Sequence, residues 1–131
     1  MKLTKFSCLV VVALSIFLVA CSGDSGGGIS GMNSAPSDVV KEFYTKLDQG
    51  QIAPASQLVS RNAVNTPGSL KNSPTEIATD IKSRNGLGSV AIQKDDAGEV
   101  VATINYKNGT NETVTCSMVQ EDRDWKINSL K

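Results

Sequence analysis

Apolar positions along the chain follow three regimes. Residues 6–20 (FSCLVVVALSIFLVA) are apolar all round, with only Ser7 and Ser15 polar. Between 36 and about 85 apolar residues recur every three or four positions, and beyond that they alternate. Val39, Val40, Phe43 and Leu47 form one stripe, which predicts an amphipathic helix over 36–48. Pro36 suits its first turn, where a missing N–H costs nothing. Asp38 and Lys46 suit the positive and negative ends of the dipole, and Gly50 is a natural stop. A short second helix is expected over 53–59, with Pro54 in its first turn and Leu58 and Val59 inward. Residues 61–72 read as a loop. Ser73-Pro74-Thr75-Glu76 spells a capping box with proline at the first helical position, opening a helix that turns Ile77 and Ile81 inward and stops at Asn85-Gly86.

The period then falls to two. Val90 and Ile92 alternate with polar neighbours, as do Val100, Ala102, Ile104 and Tyr106, and then Val114, Cys116 and Met118. Asn108-Gly109 is a strong hairpin signal, and a second turn falls at Glu121–Asp124 before Trp125 and Ile127. Four strands with short turns make an antiparallel meander. The expected class is α+β, with N-terminal helices packed on the apolar face of a curved four-stranded antiparallel sheet. Parity puts Trp125 on that face, against the helix carrying Phe43 and Leu47. The polar face carries Thr103, Asn105, Lys107, Thr113, Thr115, Ser117 and Asn128; it is either a docking surface or a solvated one.

The N-terminus is an address. Lys2 and Lys5 precede an apolar run that reaches about 22 Å as a helix. A bilayer core is about 30 Å thick, so the run is short for a permanent span and has the design of an export signal. It closes on Leu18-Val19-Ala20-Cys21, which resembles the lipobox of bacterial lipoproteins at all four positions. The resemblance implies that Leu18, Val19 and Ala20 are read by a lipoprotein signal peptidase, that cleavage falls before Cys21, and that a diacylglycerol joins the Cys21 thiol. That lipid is the expected membrane partner. Ser22, where Asp would favour the inner membrane, points to the outer membrane facing the periplasm in a cell with two membranes. Residues 21–35 then comprise the lipidated cysteine and a Gly/Ser tether, whose fourteen residues from Ser22 reach about 20 Å. The tether lacks the Gly-Lys-Ser/Thr ending of a phosphate-binding loop.

Composition excludes several chemistries. The 131 residues suffice for one domain, over 36–131, and 13 basic against 13 acidic side chains give no field to attract nucleic acid. Removing residues 1–20 leaves 111, with 11 basic against 13 acidic side chains and a net charge of −2. Histidine is absent, so the commonest general base and metal ligand are missing. No metal or other cofactor is expected, and no catalytic residue is assigned. Cys116 is the one thiol left in the mature domain; it is either a buried small hydrophobe or a reactive site. Asp80 and Glu112 are expected to face solvent, and no two carboxylates are placed as an acid–base pair. Asp95-Asp96 and Asp122-Arg123-Asp124 read as turn residues, and the two Asn-X-Thr matches at Asn108 and Asn111 as coincidence.

Three stretches carry a further resemblance: Ala35-Pro36-Ser37-Asp38-Val39-Val40-Lys41-Glu42-Phe43-Tyr44, Leu47-Asp48-Gln49-Gly50-Gln51 and Asp124-Trp125-Lys126-Ile127. With helices preceding a four-stranded meander, the chain resembles the nuclear-transport-factor-2-like (NTF2-like, or cystatin-like) superfamily, and within it bacterial lipoproteins of unknown function. The resemblance implies a sheet wrapped around a long helix and a cone-shaped cavity, with Phe43, Tyr106 and Trp125 as candidate lining. It supports fold before function. The expected role is a membrane-anchored, non-catalytic binding or assembly module, with an envelope protein or a small apolar ligand as partner. An enzyme using the apolar cavity and an accessory of an outer-membrane assembly complex are the alternatives.

Overall fold

The computed structural model describes residues 34–131, Ala97 excepted. The expected export signal and lipobox, and the expected tether up to residue 33, lie outside the described residues. Four helices precede four strands: α1 (Pro36–Asp48), α2 (Ile52–Ser56), α3 (Arg61–Asn65), α4 (Pro74–Ser83), β1 (Leu87–Asp96), β2 (Glu99–Tyr106), β3 (Asn111–Glu121) and β4 (Asp124–Leu130). The strands lie in one antiparallel sheet in chain order.

Helix α1 forms where its stripe predicts. Val39, Val40, Phe43, Tyr44 and Leu47 are all buried on the inner face of the sheet. That face supplies Val100, Ala102, Ile104, Cys116 and Ile127, each with 0% exposure. Strict alternation in β2 and β3 explains the pattern, since every second side chain points to the helices. At α4 the capping box is complete: the Ser73 N–H donates to Glu76 Oε2 at 2.8 Å, and the Glu76 N–H donates to Ser73 Oγ at 3.2 Å. The Ser73 N–H first, and the Ser73 hydroxyl second, hold the Glu76 carboxyl below its ordinary pKa.

Two features depart from the sequence reading. A helical turn, α3, occupies part of the expected loop, because Ser60 caps it by accepting from the Ala63 N–H at 3.0 Å. Ser60 is fully buried and its hydroxyl donates to Asn128 Oδ1 at 2.9 Å. Asn128 is thereby drawn away from the polar sheet face. The register of β4 shifts between Met118↔Ile127 and Ser117↔Ser129, so Asn128 is the extra residue of a bulge. That resets the parity. Ser129 takes the outer position and meets Ser117 at 2.7 Å, while Leu130 turns inward to pair with Cys116. The hairpin at Asn108-Gly109 forms as expected, on a three-residue loop. The Gly109 N–H donates to the Tyr106 carbonyl at 3.0 Å and the Tyr106 N–H to the Thr110 carbonyl at 2.9 Å. Gly109 has φ of 91°, and Asn108 is not left-handed. This is a type I turn closed by a glycine bulge, not a two-residue type I′ turn.

Both sheet edges are managed. The outer edge of β4 is covered by two short parallel bridges, Val59↔Ile127 and Leu70↔Leu130. On the β1 edge, register shifts fall between Leu87 and Ser89 and between Ile92 and Lys94, and Lys94, Asp95 and Asp96 charge its end. At Gly88 a Cβ would meet the Asn105 carbonyl oxygen at 3.0 Å, so any side chain at the first bulge would crowd the backbone of β2. Trp125 shares the inner parity of Ile127. It stands near the turn, opposite exposed Gln120, and is only half-buried, so the expected deep burial against α1 is corrected.

The β3–β4 turn places two residues without glycine's freedom in left-handed backbone, Asp122 at φ of 53° and Arg123 at 76°. Such a conformation costs a side-chain-bearing residue about 1–2 kcal/mol, partly offset on replacement by glycine's greater freedom in the unfolded chain. Arg123→Gly is therefore expected to stabilise the domain by about 1 kcal/mol. Urea unfolding followed by Trp125 fluorescence checks this; an unchanged or lower midpoint would contradict it.

Candidate functional site

The interior is filled by its own side chains. Phe43 is fully buried and stacks edge-on against Tyr44, with ring centroids 5.5 Å apart. The expected cavity lining of Phe43, Tyr106 and Trp125 does not come together around an open space; the four cavities described here have other walls.

Three of these are sizeable surface grooves, one of about 500 Å³ lying beside Arg61, Glu121, Asp122 and Lys126. A second, of about 580 Å³, runs between the end of α1 and α4, over Leu47, Ile52 and Ala78 with Asp48, Thr79 and Lys82 at its rim. The third, of about 450 Å³, is lined by Val59, Ala63, Val64 and Leu70. Neither of the last two gathers titratable groups that perturb one another.

The interacting groups cluster elsewhere, between α4 and the ends of β3 and β4. Helix α4 is docked onto the β2–β3 loop by its C-terminal carbonyls: Arg84 O accepts from the Asn108 N–H at 3.1 Å and Gly86 O from the Lys107 N–H at 2.9 Å. This brings Arg84 over the Tyr106 ring, with its guanidinium carbon 4.5 Å from the centroid. Arg84 Nε also pairs with Asp80 Oδ2 at 3.0 Å, one turn earlier on the same helix. The Tyr106 hydroxyl donates a short hydrogen bond to Glu112 Oε1 across the hairpin. Burial, then the hydrogen bond to Glu112 and its charge, pushes the Tyr106 pKa above the ordinary tyrosine value. The phenol remains a donor under all physiological conditions.

Glu112 was expected at the surface and is half-buried. Asp80, also expected to be solvated, is partly shielded by Arg84. Both carboxylates, with Tyr44, Ile77 and Val114, line a small cleft of about 40 Å³. Two carboxylates are thus brought to one cleft, against expectation. They lie on elements more than thirty residues apart, and only the i,i+4 spacing of Asp80 and Arg84 was a local signal. Tyr44 stands 1% exposed at this cleft, and its hydroxyl makes no hydrogen bond to a described residue. Burial drives its pKa up as well, and electrostatic interaction with the ionisable groups of Cys116, Tyr106, Glu112 and Asp80 adds to the effect.

Cys116 resolves to the bland alternative. It is fully buried on the sheet, and burial pushes its thiol up to about 12. At neutral pH it is protonated and not a nucleophile. Among the described residues no group of three or more metal-ligating side chains forms. On the outer sheet face Gln93 donates to Thr103 at 3.2 Å and Asn105 to Ser89 at 3.1 Å, so its polar side chains bond across strands.

No family model matches the chain, and no curated protein matches it in sequence. A solved structure does match: a Campylobacter jejuni protein named "Putative NTF2-like transpeptidase" superposes with a TM-score of 0.56 at 16% identity, over 72% of this chain and 97% of that one. The fold is therefore NTF2-like, as the resemblance implied: helices against a curved four-stranded antiparallel sheet.

The two tyrosines are expected to respond differently to loss of a hydroxyl. Tyr106→Phe breaks the bond to Glu112 and should cost about 1–2 kcal/mol. Tyr44→Phe removes an unpaired buried hydroxyl and should be neutral or stabilising. Urea midpoints of the two variants check this; an equal loss in both would contradict the assignment of hydrogen bonds.

Proposed function

We propose that the chain is an envelope lipoprotein, held on a membrane through diacylglycerol on Cys21, whose NTF2-like domain is a non-catalytic binding or assembly module. The observation that carries the non-catalytic part is the filled interior. Phe43, Leu47, Ile104 and Ile127 are each 0–1% exposed where a substrate cavity would lie. The titratable cluster opens on only about 40 Å³, well below the roughly 300–1,000 Å³ of small-molecule sites. The membrane part rests on the lipobox after an export signal. No helix among the described residues is long and apolar enough to cross a bilayer. Two acyl chains, at about 0.8 kcal/mol per methylene, anchor stably without one.

An enzymatic role is the second reading. It is favoured by the transpeptidase named among the fold neighbours and by the meeting of Asp80, Glu112 and Tyr106. It requires the cleft to widen severalfold to admit a substrate. Service beside a larger outer-membrane complex remains compatible with the uncharged centre of the outer sheet face. Ser22 favours the outer membrane, facing the periplasm.

Replacing one atom tests the anchor. Cys21→Ser is expected to abolish metabolic incorporation of a tagged fatty acid and to leave the precursor uncut, shifting the protein out of the cleaved, membrane-bound pool. Undiminished labelling of Cys21→Ser would overturn the anchoring assignment.

A further inference from the structure

We infer that the open edge of β1 pairs antiparallel with β1 of a second copy, joining two sheets into one across a twofold axis at Ala91. This deepens the reading of the domain as an assembly module and rests on it: the partner is the chain itself. Strand β1 stands last in the sheet, and among the described residues no segment pairs with its outer edge. The β2–β3 turn fixes which way each backbone group points. The Tyr106 N–H donates to the Thr110 carbonyl, so Tyr106 faces β3, and the other even-numbered residues of β2 face it too. Odd-numbered residues of β2 therefore face β1, as the Lys107 N–H does in donating to the Gly86 carbonyl. Asn105 and Thr103 take Ser89 and Ala91 as partners. Val90 and Ile92 are left with N–H and C=O groups directed outward.

The residues about Ala91 select a second copy as the occupant. Ser89-Val90-Ala91-Ile92-Gln93 reads alike in both directions: polar, β-branched, small, β-branched, polar. Opposed residues of an antiparallel pair share a face, so a twofold axis must pass between one residue and its own copy. At Ala91 it sets Val90 against Ile92 of the second copy, and Ile92 against Val90, in pairs that use all the outward groups of both residues. Ala91 then meets its own copy at a narrow, non-hydrogen-bonded position, where a small side chain fits. A foreign strand would gain nothing from that symmetry. Register shifts between Leu87 and Ser89 and between Ile92 and Lys94 confine the pairing to this stretch. Charge completes the match. Asp95 lies beyond one end, and Lys82 and Lys107 lie beside Gly86 beyond the other. All three are exposed, and none is in an ion pair with a described residue. Antiparallel pairing brings Asp95 of each copy to the lysines of the other. Anchoring both copies on one membrane raises their effective concentration.

The test is cross-linking of the full-length chain in isolated membranes, oxidised with copper phenanthroline and resolved on a non-reducing gel. The parent, whose Cys116 is buried, sets the baseline. Ala91→Cys is expected to give a disulfide-linked dimer, because opposed Cα atoms about 4.5 Å apart suit that bond. Ser89→Cys is the control. Ser89 is exposed like Ala91, but its two copies would stand about 13 Å apart along the strands, beyond the roughly 7 Å limit. Its dimer yield should be about tenfold lower. Adding Ile92→Pro to Ala91→Cys removes an outward N–H and should cut the yield severalfold. Adding Asp95→Lys instead should also lower it, and serves alone if the proline variant does not fold. No dimer from Ala91→Cys, equal yields from Ala91→Cys and Ser89→Cys, or a yield indifferent to both added substitutions would overturn the inference, leaving the edge to a foreign strand or to the chain's own N-terminal segment. A tagged fatty acid in the same cells separates the two readings. An acylated chain that gives no dimer overturns this inference alone, whereas a dimer of unacylated chains overturns the anchor alone.

Discussion

Burial of one face of α1 is the interaction on which the remainder of the domain depends. Val39, Val40, Phe43, Tyr44 and Leu47 are buried away from water, against the inner face of the sheet and the neighbouring helices α2 and α4. Packing the helix there leaves the sheet one dry side and one wet side, which the alternation of β2 and β3 satisfies. It also fills the cone. The same side chains that stabilise the domain occupy the space inside the curve of the sheet, so stability and a filled interior among the described residues have one cause.

What the chain announces locally, it forms. The stripe of α1, the Ser73–Glu76 box and the alternation in β2 and β3 are each set by residues within a turn or two of one another, and the structure follows them. The departures arise where the cause is remote. The bulge at Asn128 is fixed by Ser60, sixty-eight positions earlier, and it alone turns Leu130 inward. Ser60 in turn creates α3 from a stretch with no apolar period. Nothing near either residue foretells this, because the reason is a buried hydroxyl seeking a partner. Trp125 shows the reverse limit: its parity was legible, but how deeply a strand end is covered depends on the turn beside it.

The candidate site was the least legible part. Asp80 and Arg84 share a helix face and could be paired from spacing. Glu112 and Tyr106 meet across a hairpin whose register depends on the length of its loop, three residues, which the Asn108-Gly109 signal alone does not give. Only the docking of α4 on that loop brings both pairs, and Tyr44, to one cleft. The proposed lipid anchor is the opposite case. It is read wholly from residues 1–21, where a covalent signal needs no fold.

The central claim is that the cone is filled by α1, and Phe43 tests it most directly. Phe43→Ala removes a ring from a site with 0% exposure. If the interior is packed, the variant loses about 3–5 kcal/mol of unfolding free energy, a large share of the roughly 5–15 kcal/mol of a domain this size. The measurement is the urea unfolding free energy of the variant against the parent. A loss in that range is the predicted result; a loss below about 1 kcal/mol would show that Phe43 borders open space and that the domain holds an internal cavity after all.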